Sequence, residues 1–399
     1  MREDWIESEL QFIAKIEWGN TSITKKSYEL NGYTAYSAAG PDGFLPQAEW
    51  FGEGVVLSAI GANCGKCFYA DGEWAAIKNT IVIQTVSVNT KYLFHYLNNK
   101  FKWKISGTGQ PFITLKNARQ NLVPLAPLTE QRAIVAKIEE LFSDLDKGVA
   151  DLRKAQDQLK VYRQAVLKKA FEGELTKSKD LLNKTKLKKI VRFSQGIQVP
   201  KQDQKLNFQK GDVRFLRIID FTQGKDSPRF IKNPGVKYIV SSDDISMVRY
   251  GASTGHICTG INGAIANNIF RIIPTVQLEN KFLFYFFKSP YFLEILKKRV
   301  KGVAMPAISF GLLNDIEINF TSDERQQNLI VKAIESRLSV CDKVEESINE
   351  SLEKSKALRQ SILKKAFEGT LLSKDEIEKC KTAPDYEPAA VLLEKIKNL

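Results

Sequence analysis

The chain contains one segment twice. Arg163–Gly173 recurs as Arg359–Gly369, 196 positions later, and the two copies differ only at the third and fourth positions. At the same offset Ile134 aligns with Ile330. Two unrelated segments do not keep one register over about 40 positions, so the sequence indicates an internal duplication. The chain is long enough, at 399 residues, for each half to bury a core of its own.

The duplication continues upstream, where the offset changes as insertions would change it. The pattern Gly-x-x-x-Pro-x-Ile begins at Gly107 and again at Gly302, an offset of 195. A Gly-Ala pair, with another glycine four positions after its first residue, begins at Gly61 and at Gly251, an offset of 190. The sequence therefore predicts two related globular domains, each followed by a long helix.

The long helices carry a heptad pattern. From about residue 132 to residue 171 there is no proline, and apolar residues recur at alternating steps of four and three. This predicts a coiled-coil helix about 60 Å long, which Gly173 is placed to end. The second copy is less regular, and we expect the two helices to pair in antiparallel fashion. The predicted seam residues are Ile138, Phe142, Leu145, Val149, Leu152, Leu159, Val166, Ile334, Leu338, Cys341, Ile348, Leu352 and Ile362.

The globular domains mix strand and helix patterns. Val55–Ile60 and Thr80–Ile83 predict strands, whereas Tyr92–Asn98 and Phe282–Phe287 predict helices. The expected fold class is α+β: two mixed α/β domains joined by two long helices in an antiparallel coiled coil, with pseudo-twofold duplication. The expected boundaries are 1–126 and 177–320 for the domains, 127–176 and 321–373 for the helices, and 374–399 for a C-terminal helical tail.

Composition limits the class of protein. Lys and Arg number 59 and Asp and Glu 46, which gives a net charge of +13 and favours a polyanionic partner. No apolar stretch approaches the ~20 residues of a membrane span, and the N-terminus lacks the apolar segment of a secretory signal. Five irregularly placed cysteines argue against a disulfide framework. We expect a soluble, cytoplasmic protein.

Motifs for catalysis or metal binding are weak. Cys64 and Cys67 form one Cys-x-x-Cys without a second pair, and the chain has only two histidines, so we expect no metal. The segment from Gly61 to Cys67 lacks the spacing of a phosphate-binding P-loop. Asp71, Glu73 and Lys78 resemble a nuclease pattern but have no counterpart in the second half. The sequence therefore predicts a protein without catalytic activity.

A basic stretch precedes the Gly-x-x-x-Pro pattern in both copies. At an offset of 195, Lys102 aligns with Lys297 and Lys104 with Arg299. Lysines beside a shaped loop suit phosphate binding, while neighbouring polar side chains can read base edges. The alternative is an ordinary solvated helix end. The candidate DNA-binding residues are Lys100, Lys102, Lys104, Gly107, Gln110, Thr114, Ser253, Thr254, His256, Lys297, Lys298, Arg299, Lys301 and Gly302.

Several motifs resemble the specificity (S) subunits of Type I restriction–modification systems. They are the segment Pro124–Val135, with its Leu-x-Glu-Gln, the helix ending at Leu167–Leu175, and the C-terminal stretch Glu387–Ile396. The second helix repeats this ending, but its start, Thr321–Val331, departs from the Leu-x-Glu-Gln pattern and is expected to be two residues longer. The resemblance covers essentially the whole chain.

This resemblance implies a function for each part. Two target-recognition domains would each read one half of a bipartite, asymmetric double-stranded DNA site, and the helices would measure the spacer between the halves. Two methyltransferase (modification) subunits would methylate adenine N6 with S-adenosylmethionine. Two restriction (translocase-nuclease) subunits would add ATP- and magnesium-dependent translocation and cleavage. The chain itself would hold no cofactor.

Two other interpretations remain open at this point. One is a coiled-coil scaffold without a nucleic-acid function, and the other is a specificity module of a different defence system. The repeated lysine pairs Lys168-Lys169 and Lys364-Lys365, with Phe171 and Phe367, are candidates either for partner docking or for simple helix capping.

Overall fold

A computed structural model of the chain describes residues 2–177, 181–224, 226–300 and 307–398, without the side chains of Arg299 and Val300. The chain divides into two compact units. Unit 1 comprises Met1–Asp151 and Ser351–Leu399, and unit 2 comprises Leu152–Glu350. Each unit combines one globular domain with part of both long helices, so the units cut across the boundaries expected from the sequence.

The described residues of unit 1 form two four-stranded sheets and one two-stranded sheet. The sheet orders are β2-β9-β6-β7, β4-β3-β8-β5 and β1-β10, with all strand pairs antiparallel except β3 and β8. The strands are β1 (Ile6–Glu9), β2 (Ala14–Trp18), β3 (Tyr33–Ser37), β4 (Gly40–Leu45), β5 (Trp50–Phe51), β6 (Gly54–Ser58), β7 (Cys67–Ala70), β8 (Glu73–Ala76), β9 (Thr80–Thr85) and β10 (Leu122–Leu125). β6 is buried throughout, as its run of β-branched and apolar residues indicates.

Unit 2 repeats this topology. Its sheet orders are β12-β19-β16-β17, β14-β13-β18-β15 and β11-β20, and the one parallel pair among its described strands, β13 with β18, corresponds to β3 with β8. The strands are β11 (Asn183–Lys186), β12 (Val191–Gln195), β13 (Asp212–Leu216), β14 (Arg229–Lys232), β15 (Ile239–Val240), β16 (Ile245–Val248), β17 (Ile257–Cys258), β18 (Gly263–Ile265), β19 (Ile269–Pro274) and β20 (Glu317–Phe320). The predicted duplication and mixed α/β class are therefore confirmed.

The helices follow the same duplication, with two additions in unit 2 and two more, α9 and α10, in the C-terminal segment. They are α1 (Thr90–Leu97), α2 (Leu115–Arg119), α3 (Leu128–Phe171), α4 (Ile218–Thr222), α5 (Asn280–Lys288), α6 (Pro290–Val300), α7 (Phe310–Asn314), α8 (Glu324–Glu368), α9 (Lys374–Lys381) and α10 (Ala389–Lys397). By position in the chain α1 corresponds to α5, α2 to α7 and α3 to α8. Helices α4 and α6 have no counterpart among the described residues of unit 1. No described helix is both long and apolar enough to cross a membrane.

The two long helices pair in antiparallel fashion within each unit. In unit 1 Arg359 of α8 pairs with Asp146 of α3, and its guanidinium lies 4.1 Å from the ring centroid of Phe142. In unit 2 Arg163 of α3 pairs with Asp342 of α8 at 2.7 Å. Every predicted seam residue is buried or half-buried, as the heptad pattern requires.

The ends of the two long helices match each other, but the connection before α8 differs in length from the expectation. Gly173 and Gly369 follow the two helices with φ of +75° and +77°, the left-handed conformation of a C-terminal cap. The starts of α3 at Leu128 and α8 at Glu324 keep the offset of 196. Since β10 ends at Leu125 and β20 at Phe320, the connection to α8 is longer by one residue. The expected lengthening by two residues was wrong by one, because the strand ends Leu125 and Phe320 lie 195 positions apart and the helix starts 196.

Candidate nucleic-acid interface

In unit 1 two loops that are distant in sequence lie side by side. We define the glycine loop as Gly61–Lys66 and the Gly/Pro loop as residues 106–113. Ile113 donates its backbone N–H to the carbonyl of Ala59 at 2.8 Å, and Gly61 donates to the carbonyl of Pro111 at 2.9 Å. Two motifs recognised separately in the sequence therefore form one surface.

The same arrangement recurs in unit 2, where the glycine loop is Gly251–His256. Ile308 donates its N–H to the carbonyl of Arg249 at 2.8 Å, and Tyr250 bridges to Ala307. The guanidinium of Arg249 also lies 5.1 Å from the ring centroid of Phe310, which ties this loop to α7. The second Gly/Pro pattern itself, including Gly302, falls in residues 301–306, outside the described residues.

The basic candidates of unit 1 lie on the segment 100–104, which contacts its glycine loop at Lys100. Lys100 and Lys102 lie on a single 3₁₀ turn and are exposed, as is Lys104. A Cβ placed on Gly65 would come within 3.2 Å of the Cα of Lys100, so the two segments touch. Gly107 and Gln110 are exposed on the adjacent Gly/Pro loop. The structure thus places Lys100, Gly107 and Gln110 on segments that contact the glycine loop, whereas the ammonium of Lys102 lies 4.9 Å from the ring centroid of Tyr96.

The basic candidates of unit 2 occupy a different kind of segment. Lys297 and Lys298 are exposed near the end of α6, an 11-residue helix, whereas Lys102 lies on a three-residue turn. Positive charge therefore recurs, but the expected one-to-one alignment of Lys102 with Lys297 falls where the second copy has gained a helix. The side chain of Arg299 and all of Lys301 lie outside the described residues.

Three candidate residues already have hydrogen-bond partners. The Thr114 hydroxyl accepts the N–H of Asn117 at 3.1 Å and caps α2, and Ser309 caps α7 in the same way. Thr254 donates its hydroxyl to the carbonyl of Gly251 at 2.6 Å. Ser253, by its backbone carbonyl, accepts the N–H of His256. These bonds shape the loops and helix starts, a role that the sequence interpretation as base readers did not include.

Sequence reasoning missed one basic residue of this surface. Lys66 ends the first glycine loop and is exposed, at the position that His256 occupies in the second. The offset of 190 that aligns the glycines also aligns these two residues, so the signal was available. Burial, and to a smaller extent nearby Lys288, lower the pKa of His256, which favours the neutral form of its imidazole.

A phenylalanine near each helix end holds a globular domain in place. Phe171 is buried, and its ring centroid lies 5.1 Å from that of Phe282 in unit 2. Phe367 lies 5.1 Å from Tyr96 in unit 1. These two rings are therefore occupied by their own units. The lysine pairs at 168–169 and 364–365 are exposed, so of these docking candidates it is the lysines that are accessible to a partner.

A buried glutamine at each helix start makes a second attachment. Gln131 accepts the N–H of Asn89 at 2.9 Å and donates to the carbonyl of Ala126 at 2.7 Å. In unit 2 Gln327 likewise accepts the N–H of Glu279 and donates to the carbonyl of Thr321. Together with Phe171 and Phe367, these bonds fix each globular domain relative to the helices of its own unit.

The cysteine pair is packed into the core. Cys64 and Cys67 are buried, and burial raises the pKa of both thiols. The Cys67 thiol lies 3.4 Å from the carbonyl of Leu97. Over the described ranges no group of three His, Cys, Asp or Glu side chains could hold a metal ion.

Comparisons with known sequences identify the family. The profile described as "Type I restriction modification DNA specificity domain" matches residues 2–152 and 177–354. The chain is 27% identical over 417 residues to the Type I restriction enzyme EcoBI specificity subunit of Escherichia coli, covering 95% of this chain and 83% of the relative. It is 24% identical to the EcoDI specificity subunit of the same species, covering 99% and 95%.

Solved structures support the fold. A chain from a study of complex assembly in the type I R-M system has a TM-score of 0.75 at 19% identity, covering 93% of this chain and 99% of that one. The HsdS subunit from Thermoanaerobacter tengcongensis has a TM-score of 0.59 at 21% identity, covering 93% and 98%. Since the family profile spans both copies of the duplication, this chain belongs to the Type I restriction–modification specificity subunits, which recognise DNA and are not themselves catalytic.

Proposed function

We propose that the chain reads a bipartite, asymmetric site on double-stranded DNA, with one globular domain on each half. The observation that carries this proposal is a sheet topology duplicated strand for strand whose corresponding loops bear different side chains. Because the two globular domains have the same backbone topology, both can approach DNA in the same way. Their loop side chains differ, so the two domains would recognise different half-sites. A scaffold without a DNA function would need neither feature.

Phosphate binding is assigned to the exposed lysines beside the loops. Lys100, Lys102 and Lys104 in unit 1, and Lys297 and Lys298 in unit 2, are exposed. The segments that carry them pack against the glycine loops, Lys100 against Gly65 and Leu296 against Gly255. The contacts of these lysines would be independent of sequence and sensitive to salt, as phosphate contacts are. The loop side chains would then supply discrimination between bases.

The partners follow from the family. Two methyltransferase subunits would dock on the helices, where the exposed pairs Lys168-Lys169 and Lys364-Lys365 offer the same residues twice. Two identical partners need two identical binding surfaces. Both copies of the helix keep the lysine pair although its side chains are exposed. S-adenosylmethionine, ATP and magnesium would be bound by the methyltransferase and by two restriction subunits, in the cytoplasm. Target adenines would be flipped out of the duplex for methylation.

The helix pair is proposed to set the spacer between the half-sites, which a matched insertion can test. Seven residues added after Asp151, and seven more after Glu350, would lengthen both helices by about 10 Å while keeping the heptad register. We expect the preferred spacer to grow by about three base pairs, with both half-sites unchanged. The measurement is selection from a duplex library with randomised half-sites and spacer lengths, using the chain together with its methyltransferase subunits.

The outcomes separate the interpretations. An unchanged spacer would contradict the measuring role of the helices. If the unmodified complex selects no gapped sequence, DNA reading itself is wrong and the scaffold interpretation gains. A gapped site obtained with partners other than Type I subunits would favour a specificity module of another defence system.

A further inference from the structure

The two glycine loops have the same backbone. The φ angles are +103° at Gly61 and +102° at Gly251, and +88° at Gly65 and +86° at Gly255. A residue with a Cβ rarely adopts such angles, so the glycines determine the backbone conformation of the loops. We call this shared backbone conformation the frame. Each loop follows a buried strand, β6 or β16, and therefore starts from a rigid base.

The internal hydrogen bonds of the loops also match. Cys64 donates to the carbonyl of Gly61 at 3.0 Å, and Thr254 to that of Gly251 at 3.1 Å. Lys66 and His256 each donate the backbone N–H, at 3.0 Å, to the carbonyl of the residue three positions earlier. The first and last residues of both loops are thus held by the same set of backbone bonds.

The side chains on this common frame differ at its outward positions. The third residue is Asn63 in the first loop and Ser253 in the second, and the sixth is Lys66 or His256. Asn63, Lys66 and His256 are exposed and Ser253 is half-buried, whereas Cys64 between them is buried. The loop backbone requires the glycines, but it does not require different side chains at the third and sixth positions.

The four side chains suit recognition of base edges. An asparagine amide can bond adenine in bidentate fashion, and a lysine can bond guanine O6 and N7. Serine accepts or donates, and a neutral histidine offers one donor and one acceptor. Lys100 lies beside the first loop, so one stretch of DNA could place a phosphate at this lysine and a base edge at the loop.

We propose that the glycine loops are base-reading elements of the two recognition domains, with Asn63 and Lys66 as specificity-determining residues for one half-site and Ser253 and His256 for the other. This inference rests on the proposed function. It adds Asn63 and Lys66, which sequence reasoning did not select, and it separates them from the phosphate-binding lysines.

A transplant of side chains between the loops tests the proposal. The double variant N63S/K66H gives the first frame the side chains of the second, and the full chain is expressed with its methyltransferase subunits in cells that lack the wild-type gene. Methylated adenine is then mapped across the genome. We expect bases in one half-site to change, with preference for the original bases falling about tenfold or more, while the other half-site and the spacer stay the same.

Controls keep the result interpretable. C64T introduces the residue that the second loop has at this position, the half-buried Thr254, whose hydroxyl donates to the carbonyl of Gly251 within the loop, and it should leave the methylated motif unchanged. The single variant K66Q serves if the double variant fails to fold, as judged by its unfolding midpoint. An unchanged motif in N63S/K66H, or in K66Q where it replaces that variant, overturns the inference. Absence of any gapped motif in wild-type cells would instead contradict the proposed function.

Discussion

The ring of Phe367 lies edge-on to the ring of Tyr92, with centroids 5.2 Å apart, and so joins the end of α8 to the helix α1 of the globular domain in unit 1. Phe171 makes the corresponding contact with Phe282 in unit 2 at 5.1 Å. A residue from one copy of the duplicated helix thus holds the domain that belongs to the other copy. In each unit, the globular domain is therefore attached to both long helices.

Removing the ring of Phe171 should destabilise unit 2. Phe171 is buried against Phe282 and Phe286, and truncation of such a ring leaves a cavity. We expect Phe171→Ala to lower the free energy of unfolding by about 3–5 kcal/mol, measured by urea denaturation. Phe101 is 85% exposed, and Phe101→Ala is the control, with a change within about 0.5 kcal/mol. Equal effects of the two variants would mean that Phe171 does not hold the domain.

The buried glutamine at the start of α3 allows a second stability test. In Gln131→Leu the N–H of Asn89 and the carbonyl of Ala126 are left without a partner inside the protein. The expected cost is about 1–3 kcal/mol for each backbone group left unpaired. Gln158→Leu, at an exposed position of the same helix, is the matched control. A destabilisation no larger than that of the control would show that these hydrogen bonds are replaced by water.

His95 should make unit 1 less stable in acid. Burial lowers its pKa to about 4, with a smaller opposing effect of Glu139, and its ring packs on Phe142. Because the folded-state pKa lies below the unfolded value of about 6.5, the unfolded chain binds the proton more tightly. Stability attributable to His95 is therefore complete above pH 6.5 and falls towards pH 4, by at most about 1.4 kcal/mol per pH unit.

A histidine substitution isolates this effect from the other groups that titrate in acid. The free energy of unfolding of His95→Gln, measured at intervals between pH 4 and pH 7, should fall less steeply than that of the wild type. Parallel curves for the two proteins would mean that His95 is as accessible to protons in the folded state as in the unfolded chain.

The exposed lysines should contribute affinity without specificity. Lys102→Ala and Lys297→Ala are each expected to weaken DNA binding for all sequences. Each should reduce the salt slope of the binding constant by roughly 1 for every phosphate that the lysine neutralises in the wild type. The assay is titration of labelled duplex DNA at several salt concentrations. Lys374→Ala, exposed on the C-terminal tail, is the control. An effect confined to one base substitution in the site would instead identify the lysine as a base reader.

Sequence reasoning was most successful where periodicity carries the signal. The heptads of α3 and the buried runs of β6 and β9 depend on local spacing, which any window of the chain reveals. The contact between Ile113 and Ala59 depends on chain reversal through several strands, which no local pattern encodes. The change of offset from 190 to 195 signals an insertion, but only the structure shows that this part of the second copy contains a helix, α6, of 11 residues.

The candidate site also combines features that the local sequence reveals with features that it does not reveal. Basic charge next to a glycine-containing loop was visible in the sequence, and the exposed positions of Lys100 and Lys102 agree with it. The hydroxyl of Thr114 was assigned to DNA although Ser and Thr are frequent helix N-caps, and the structure places it in that role. Lys66 was not selected because the signal for it is its alignment with His256 at the offset of 190, which charge alone does not reveal.

The central claim is that two domains of one chain read two different halves of a DNA site. The most direct test is a genome-wide map of methylated adenine in cells with and without this gene. The account predicts one methylated motif, consisting of two unlike half-sites separated by an unread spacer of fixed length, which disappears when the gene is removed. A methylation pattern that does not depend on the gene, or a dependent motif that is continuous or palindromic, would contradict it.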